Sequence, residues 1–343
     1  MTKGYVDSDG HIMENERELN EFLEDRYRNS GYHSFLQLLP TLDGFHTPKT
    51  SDVVRKGQFD RSVGPERWME FLEKTGIEYT ILYPTTGLSY GQVVFPDWAQ
   101  AYARAYNNWL HDKYLKRSPR FKGMALIPMQ DVSGAVAEMR RAVKELGMVG
   151  AMIPSNGLKR HITAKEFWPI YQEAEKLDCA LAIHGGSYSD LGFNTFTVFP
   201  ATRALGMPFP LMIAMTGMIV DGVFDAFPNL RVAFLEGGTS WIPLVIDRLE
   251  REREYAGLHT QKAPVDYFTS GRVFVGCEGN EKALSYSIER VGPQPFMFAS
   301  DFPHEITMDN CMEEINEIRE REDIKEEHKM AILGDNARRF YKI

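Results

Sequence analysis

The chain has 343 residues, 43% of them apolar and 25% charged, which excludes disordered and fibrous classes and allows one large core in a single domain spanning residues 1–343. A formal charge of -9 and a pI near 5.6 argue against nucleic acid as the partner, because phosphate binding rests on clustered Lys and Arg; a small molecule is expected instead. Cys179, Cys277 and Cys311 are odd in number and widely spaced, which predicts reduced thiols in a cytoplasmic protein. The start M-T-K-G-Y-V-D-S-D lacks a secretory apolar run, and Met207 to Val220 is broken by Pro208 and Pro210, so no membrane anchor is expected.

In chain order, Tyr5 to Asn15 opens as a strand that runs out into Asp9-Gly10-His11. Glu14 to Pro40 mixes charges and aromatics without a period, and Thr41 to Arg61 is rich in Gly, Thr and Asp; together they predict a long excursion over one end of the fold. Pro65 to Thr75 has helical spacing and stops at Gly76. A regular alternation follows, with strands predicted at Ile77–Pro84, Phe121–Met129, Met148–Pro154, Cys179–Gly185, Leu230–Leu235, Val273–Cys277 and Pro295–Ser300. Helical patterns separate them, among them Ser133 to Leu146, Ala164 to Leu177, Leu211 to Phe227 and Trp241 to Tyr255. The connection Ser187 to Phe209 is long for a loop and carries Phe193 and Arg203, which makes it a candidate lid or binding segment. Two charged helices, near Met308 to Glu320 and Glu326 to Tyr341, read as solvated faces.

Eight strand-helix units predict a TIM-type (β/α)8 barrel with an insertion after the first strand and extra C-terminal helices. An open doubly wound sheet is the alternative, but no Gly-rich phosphate turn follows the first strand. In a barrel the carboxyl ends of the strands carry the chemistry, and Asp9, His11, His184, Glu236 and Asp301 all fall there. Two side chains two residues apart on a strand share a face, so Asp9 and His11 make half of a metal site, with His184 and Asp301 as the distant half. That set of N and O donors suits one divalent ion, zinc or manganese. Each residue alone has a plainer role, a packed histidine or an Asx-turn aspartate, but their joint arrival at three strand ends of one barrel favours the metal. His304, three residues past Asp301, is a candidate for catalysis or for contact with substrate.

The segments V-D-S-D-G-H-I-M-E-N, F-K-G-M-A-L-I-P-M-Q-D, A-I-H-G-G, V-A-F-L-E-G-G-T-S-W-I-P-L-V-I-D-R-L, F-M-F-A-S-D-F-P-H and I-L-G-D-N-A-R-R-F-Y resemble the amidohydrolase-related metal-dependent hydrolases. The nearest branch holds aminocarboxymuconate semialdehyde decarboxylase and the resorcylate-type decarboxylases. The resemblance implies Asp9 and His11 as ligands where that family has His-x-His or Glu-x-His, His184 as the fifth-strand ligand, and Asp301 as a final-strand aspartate that binds metal and handles a proton. It also implies that Arg248 reaches a substrate carboxylate in a neighbouring subunit, hence a homodimer or higher homo-oligomer. Where the decarboxylases carry a histidine at the end of the sixth strand, this chain has Glu236.

That departure makes metal-activated water the leading expectation: a hydrolase of a small carboxylate-bearing or aromatic substrate, with Asp301 or Glu236 taking the proton. Non-oxidative decarboxylation of an aromatic or unsaturated acid is the second reading, and a catalytically silent ligand-binding barrel the third.

Overall fold

The computed structural model describes residues 4–28, 38–40, 62–186, 191–196, 199–304 and 306–343. Eight parallel strands follow one another around the molecule in sequence order: β1 (Tyr5–Ile12), β2 (Ile77–Pro84), β3 (Phe121–Leu126), β4 (Gly150–Pro154), β5 (Ala180–His184), β6 (Val232–Leu235), β7 (Val273–Cys277) and β8 (Phe296–Phe298). Their residues are almost all buried, as expected of strands covered on both faces. Two backbone hydrogen bonds join the exit of β8 to β1: Asp301 N donates to Asp9 O at 2.9 Å and His11 N donates to Phe302 O at 2.7 Å. This is the (β/α)8 barrel expected from the alternation of elements.

Strand ends differ from the sequence reading by one to a few residues, because pairing with neighbours, and not the apolar run itself, decides where a ladder stops. The stretch Leu211 to Phe227 is two pieces, Pro208–Val220 and Val223–Ala226, divided at Gly222, whose φ of +75° only glycine adopts without strain. With the preceding Phe199–Gly206, it forms a run, Pro200–Val220, long and apolar enough by length and composition to cross a membrane. In the barrel, Leu211, Ala214, Met215 and Met218 of this run are buried core residues. A helix at Pro264–Thr269 was not expected. The C-terminal segment has the expected solvated face, with Glu326 and Glu327 exposed, but is three pieces, Glu326–Met330, a wide π turn at Ala331–Asp335 and Asn336–Tyr341, which bury Ile332, Leu333, Phe340 and Tyr341 on the other side. Tyr341 donates its hydroxyl to Ser8 O at 2.8 Å, so the chain end is fastened to β1. The candidate excursion Thr41 to Arg61 lies outside the described residues, as does Tyr188 in the loop after β5.

The strand that matters most is irregular. Along β1, Asp7 pairs with Thr80 and Gly10 with Leu82, so three steps on β1 oppose two on β2 and a bulge sits at Ser8-Asp9. Asp7, wholly buried, ties the bulge down: its carboxylate accepts from Thr80 Oγ1 at 2.7 Å, Ser300 N at 2.9 Å and Asp9 N at 3.2 Å. Gly10 is required because a Cβ there would lie 2.5 Å from Trp68 Cη2, 2.6 Å from Thr80 Oγ1 and 2.7 Å from Asp7 Oδ2.

Substituting Gly10→Ala is therefore expected to cost about 2–3 kcal/mol, as overpacking of a rigid core does. Urea titration of the two proteins measures it; an unchanged midpoint would contradict the packing argument.

Candidate metal centre at the barrel mouth

Four strand ends deliver the side chains expected from the sequence. Asp9 and His11 come from β1, His184 closes β5, Glu236 follows β6, and Asp301 lies three residues beyond β8. Glu236 (φ +62°) and Asp301 (φ +53°) both take left-handed backbone conformations, which cost a non-glycine residue about 1–2 kcal/mol each.

The two histidines are oriented by the main chain. His11 Nδ1 lies 2.8 Å from Pro84 O and His184 Nδ1 lies 2.7 Å from Gly185 O. A carbonyl oxygen has no proton to give, so both Nδ1 atoms carry hydrogen, and each Nε2 is the nitrogen that presents a lone pair when its ring is neutral. Those Nε2 atoms converge on the carboxylates. His184 Nε2 is 3.1 Å from Asp9 Oδ1, and His11 Nε2 is 3.5 Å from the same oxygen and 3.4 Å from Asp301 Oδ1. Ligands about 2.0–2.2 Å from one ion lie roughly 3.0–3.6 Å apart, so the spacing fits a shared divalent cation. His11 Nε2 is also buried and makes no hydrogen bond among the described residues. These residues thus fit the metal that the sequence reading called for.

The electrostatics agree. Burial holds His11 well below the usual imidazole range, with His304 adding to the effect, so it is a neutral donor. At His184 burial opposes charge, but Asp9 and then Glu236 outweigh it and raise the imidazole to about 9. Burial also raises Asp9, against the pull of His184. The proton this pair attracts occupies the place a divalent ion takes when carboxylate and imidazole are its ligands.

Around the four, His304 stacks on His11 with ring centroids 4.1 Å apart and places Nδ1 2.7 Å from Asp301 Oδ1. Burial would raise Asp301, but His304 and His11 more than offset it and hold the carboxylate low. Glu236 is pushed the other way, upward, by burial and by Asp301. Its Oε2 stands 3.5 Å from His184 Nδ1 and has no hydrogen-bond partner among the described residues. Arg203, about one quarter exposed, brings Nη2 to 3.9 Å from Glu236 Oε1 and 4.0 Å from Asp301 Oδ2. Glu281 holds the turn after Glu236, accepting from Thr239 N at 2.7 Å and Thr239 Oγ1 at 2.6 Å.

Two further residues were expected to contact substrate. Arg248 is 61% exposed on the outer face of Trp241–Tyr255, paired with Glu252 at 3.3 Å, and the chain's own fold does not bring it to the cluster. Phe193 is buried with its ring edge-on to Phe209 at 6.1 Å. Sequence reasoning missed Asp7, Glu14 and Thr85. The first two lie in the opening stretch, where the only signal was the run of carboxylates flanking Asp9. All three cysteines are free and buried.

The family model for amidohydrolases matches residues 58–343, and the chain belongs to that family. Among characterised relatives, it is 26% identical over 331 residues to 2-amino-3-carboxymuconate-6-semialdehyde decarboxylase of Dictyostelium discoideum, covering 93% of this chain and 87% of that protein. It is 24% identical over 297 residues to gamma-resorcylate decarboxylase of Polaromonas sp., covering 81% and 87%. Its fold is similar, with a TM-score of 0.71 at 20% identity over 99% and 97% of the two chains, to 5-carboxyvanillate decarboxylase of Novosphingobium aromaticivorans, solved with bound manganese and a nitrobenzoic acid.

Replacing His11 by Ala is expected to reduce bound divalent ion from about one per chain by at least tenfold, while Arg248→Ala leaves it unchanged. Elemental analysis of the purified proteins reads both; metal retained in the His11 variant would remove that residue from the centre.

Proposed function

We propose that this chain catalyses the non-oxidative decarboxylation of an aromatic or unsaturated carboxylic acid with one divalent ion, manganese or zinc. The observation that carries the reading is the pair of clusters that share His11, one with Asp9 and His184 and the other with Asp301 and His304, in a chain most of whose relatives along its length are decarboxylases. Those relatives shift the balance from hydrolysis, the leading expectation from the sequence, to the second reading. Manganese is supported by the bound ion of the similar 5-carboxyvanillate decarboxylase, and zinc by the donor set.

Asp9, His11, His184 and Asp301 would hold the ion, which when bound supplies a Lewis acid for the substrate carboxylate and a neighbouring hydroxyl. Arg203 is the cation that faces the same space and orients the anionic substrate. As the carbon–carbon bond breaks, carbon dioxide leaves and the electron pair stays on the ring carbon, which takes a proton. Glu236 is the donor favoured by position, because its buried Oε2 has no partner to which a carboxyl proton is already committed. Asp301, kept anionic and held by His304, would offset the charge of the ion it helps to hold. Glu236 also sustains a second reading: a carboxylate there can act as the base for an attacking water, as hydrolysis requires.

The oligomer is part of the proposal. Phe209, Ile213, Val220 and Leu244 are each more than a third exposed and line an outer groove of about 720 Å³ with Arg248 and Glu252. A second copy would cover this apolar face, and its Arg248 and Glu252 could exchange partners across a twofold axis. Leu244→Glu is expected to convert a dimer to monomer by light scattering; an unchanged mass would place the interface elsewhere.

For the reaction, manganese-loaded protein is expected to release carbon dioxide from members of a hydroxybenzoate panel and to leave esters and amides intact. Asp301→Asn should lower kcat at least a thousandfold with a modest loss of metal, and Glu236→Gln about a hundredfold, the scale of a lost general acid. Ester or amide cleavage without carbon dioxide release would restore the hydrolytic reading.

A further inference from the structure

Glu14, two residues beyond β1, is a carboxylate that the chemistry above does not use. Its two oxygens gather three consecutive backbone amides of the loop after β2: Thr85 N and Thr86 N donate to Oε2, each at 3.0 Å, and Gly87 N donates to Oε1 at 2.9 Å. Three N–H groups on one carboxylate fix the loop's position and direction, because each is charge-assisted and they close on both oxygens at once. The residue that the loop then presents is Thr85, whose Oγ1 lies 2.9 Å from His304 Nε2. His304 in turn donates from Nδ1 to Asp301 Oδ1 at 2.7 Å, with its ring laid against His11 at 4.1 Å.

We infer that Glu14 is a positioning residue for the reacting centre, acting through the Thr85 hydroxyl to hold the His304 imidazole on the Asp301 carboxylate. An imidazole stacked on another ring can slide and rotate in its plane; a contact at each nitrogen removes that freedom. Asp301 supplies the contact at Nδ1, and the Thr85 hydroxyl, set by Glu14, supplies the one at Nε2. Outer groups that orient the partners of a metal ligand typically contribute 10–100-fold to activity. The role also explains why a carboxylate is left buried at some cost: burial raises Glu14, and the three amides work against that rise. An amide in its place cannot do the same, since one of its two ends would turn an N–H toward a backbone N–H. The inference rests on the proposed role of Asp301 at the metal, and its test is arranged to stand apart from the identity of the reaction.

Zinc-loaded protein with 15N-labelled histidine, without substrate, is observed by NMR. The His304 Nδ1–H proton, hydrogen-bonded to a carboxylate, should give a downfield signal identified by its loss in His304→Gln. In Glu14→Gln and in Thr85→Val this signal is expected to shift or broaden while bound zinc stays at the wild-type stoichiometry, and Thr85→Ser should restore it. With a turned-over benzoate, the same two variants should lose about 10–100-fold in kcat with KM within about twofold. Should Glu14→Gln not accumulate as folded protein, Glu14→Asp, which withdraws the carboxylate by one methylene, is read in the same way. A signal unchanged in both variants overturns the inference even if decarboxylation is observed. Loss of zinc overturns it too, because Glu14 would then be supporting the metal site as a whole. If no benzoate is decarboxylated, the proton signal alone decides.

Discussion

Two imidazole protons govern the mouth of this barrel. By donating from Nδ1 to the carbonyls of Pro84 and Gly185, His11 and His184 each leave Nε2 as the nitrogen that offers a lone pair in the neutral ring. Reverse either tautomer and a donor N–H would point at the cluster, where it could hold a carboxylate but not a metal. The carbonyls belong to strand ends, so the barrel's closure and the orientation of these two imidazoles are one constraint. The bulge at Ser8-Asp9 serves the same end, since it re-aims β1 where Asp9 must meet His184 while Asp7 holds the distorted strand from beneath.

Such a cluster is costly to bury without a cation. Asp9 and Asp301 together carry two negative charges within reach of two histidines, and the desolvation of a carboxylate in a nearly closed mouth is worth several kcal/mol in real proteins. A divalent ion held as proposed would neutralise both at once. The strained backbone at Glu236 and Asp301 belongs to the same account: about 1–2 kcal/mol at each is spent on turning a side chain inward at the place where its strand ends.

Much of this was legible in the chain because parallel strands buried on both faces read as short apolar runs, and a charged residue ending such a run has few structural reasons to be there. Asp9, His11, His184, Glu236 and Asp301 were found that way. Arg248 was named by resemblance alone, and the fold sends it to the outer surface, where only another subunit could give it the expected role. Asp7, Glu14 and Thr85 escaped notice because their importance lies in partners 71 to 293 positions away, and no local periodicity records such pairings. The bulge was invisible for a related reason: register belongs to two strands, not one. In the C-terminal helices charge alternation marked the solvated side and said nothing of the opposite face, where Phe340 and Tyr341 are buried.

The substitution of glutamate for the sixth-strand histidine of the resembling decarboxylases is best understood together with Arg203. A histidine beside His184 would add a fourth imidazole to those of His11, His184 and His304 and would remove one of the two carboxylates that Arg203 faces. Glutamate at position 236 gives Arg203 a partner at 3.9 Å, and from there the same guanidinium reaches Asp301 at 4.0 Å. On the proposed roles, proton transfer and anion recognition would fall on one contact, between an acid raised by burial and a cation about one quarter exposed. An incoming carboxylate would compete with Glu236 for Arg203, and releasing Glu236 from that cation would favour its protonated form. Under the proposed function, substrate binding and the supply of the proton would then be coupled through Arg203.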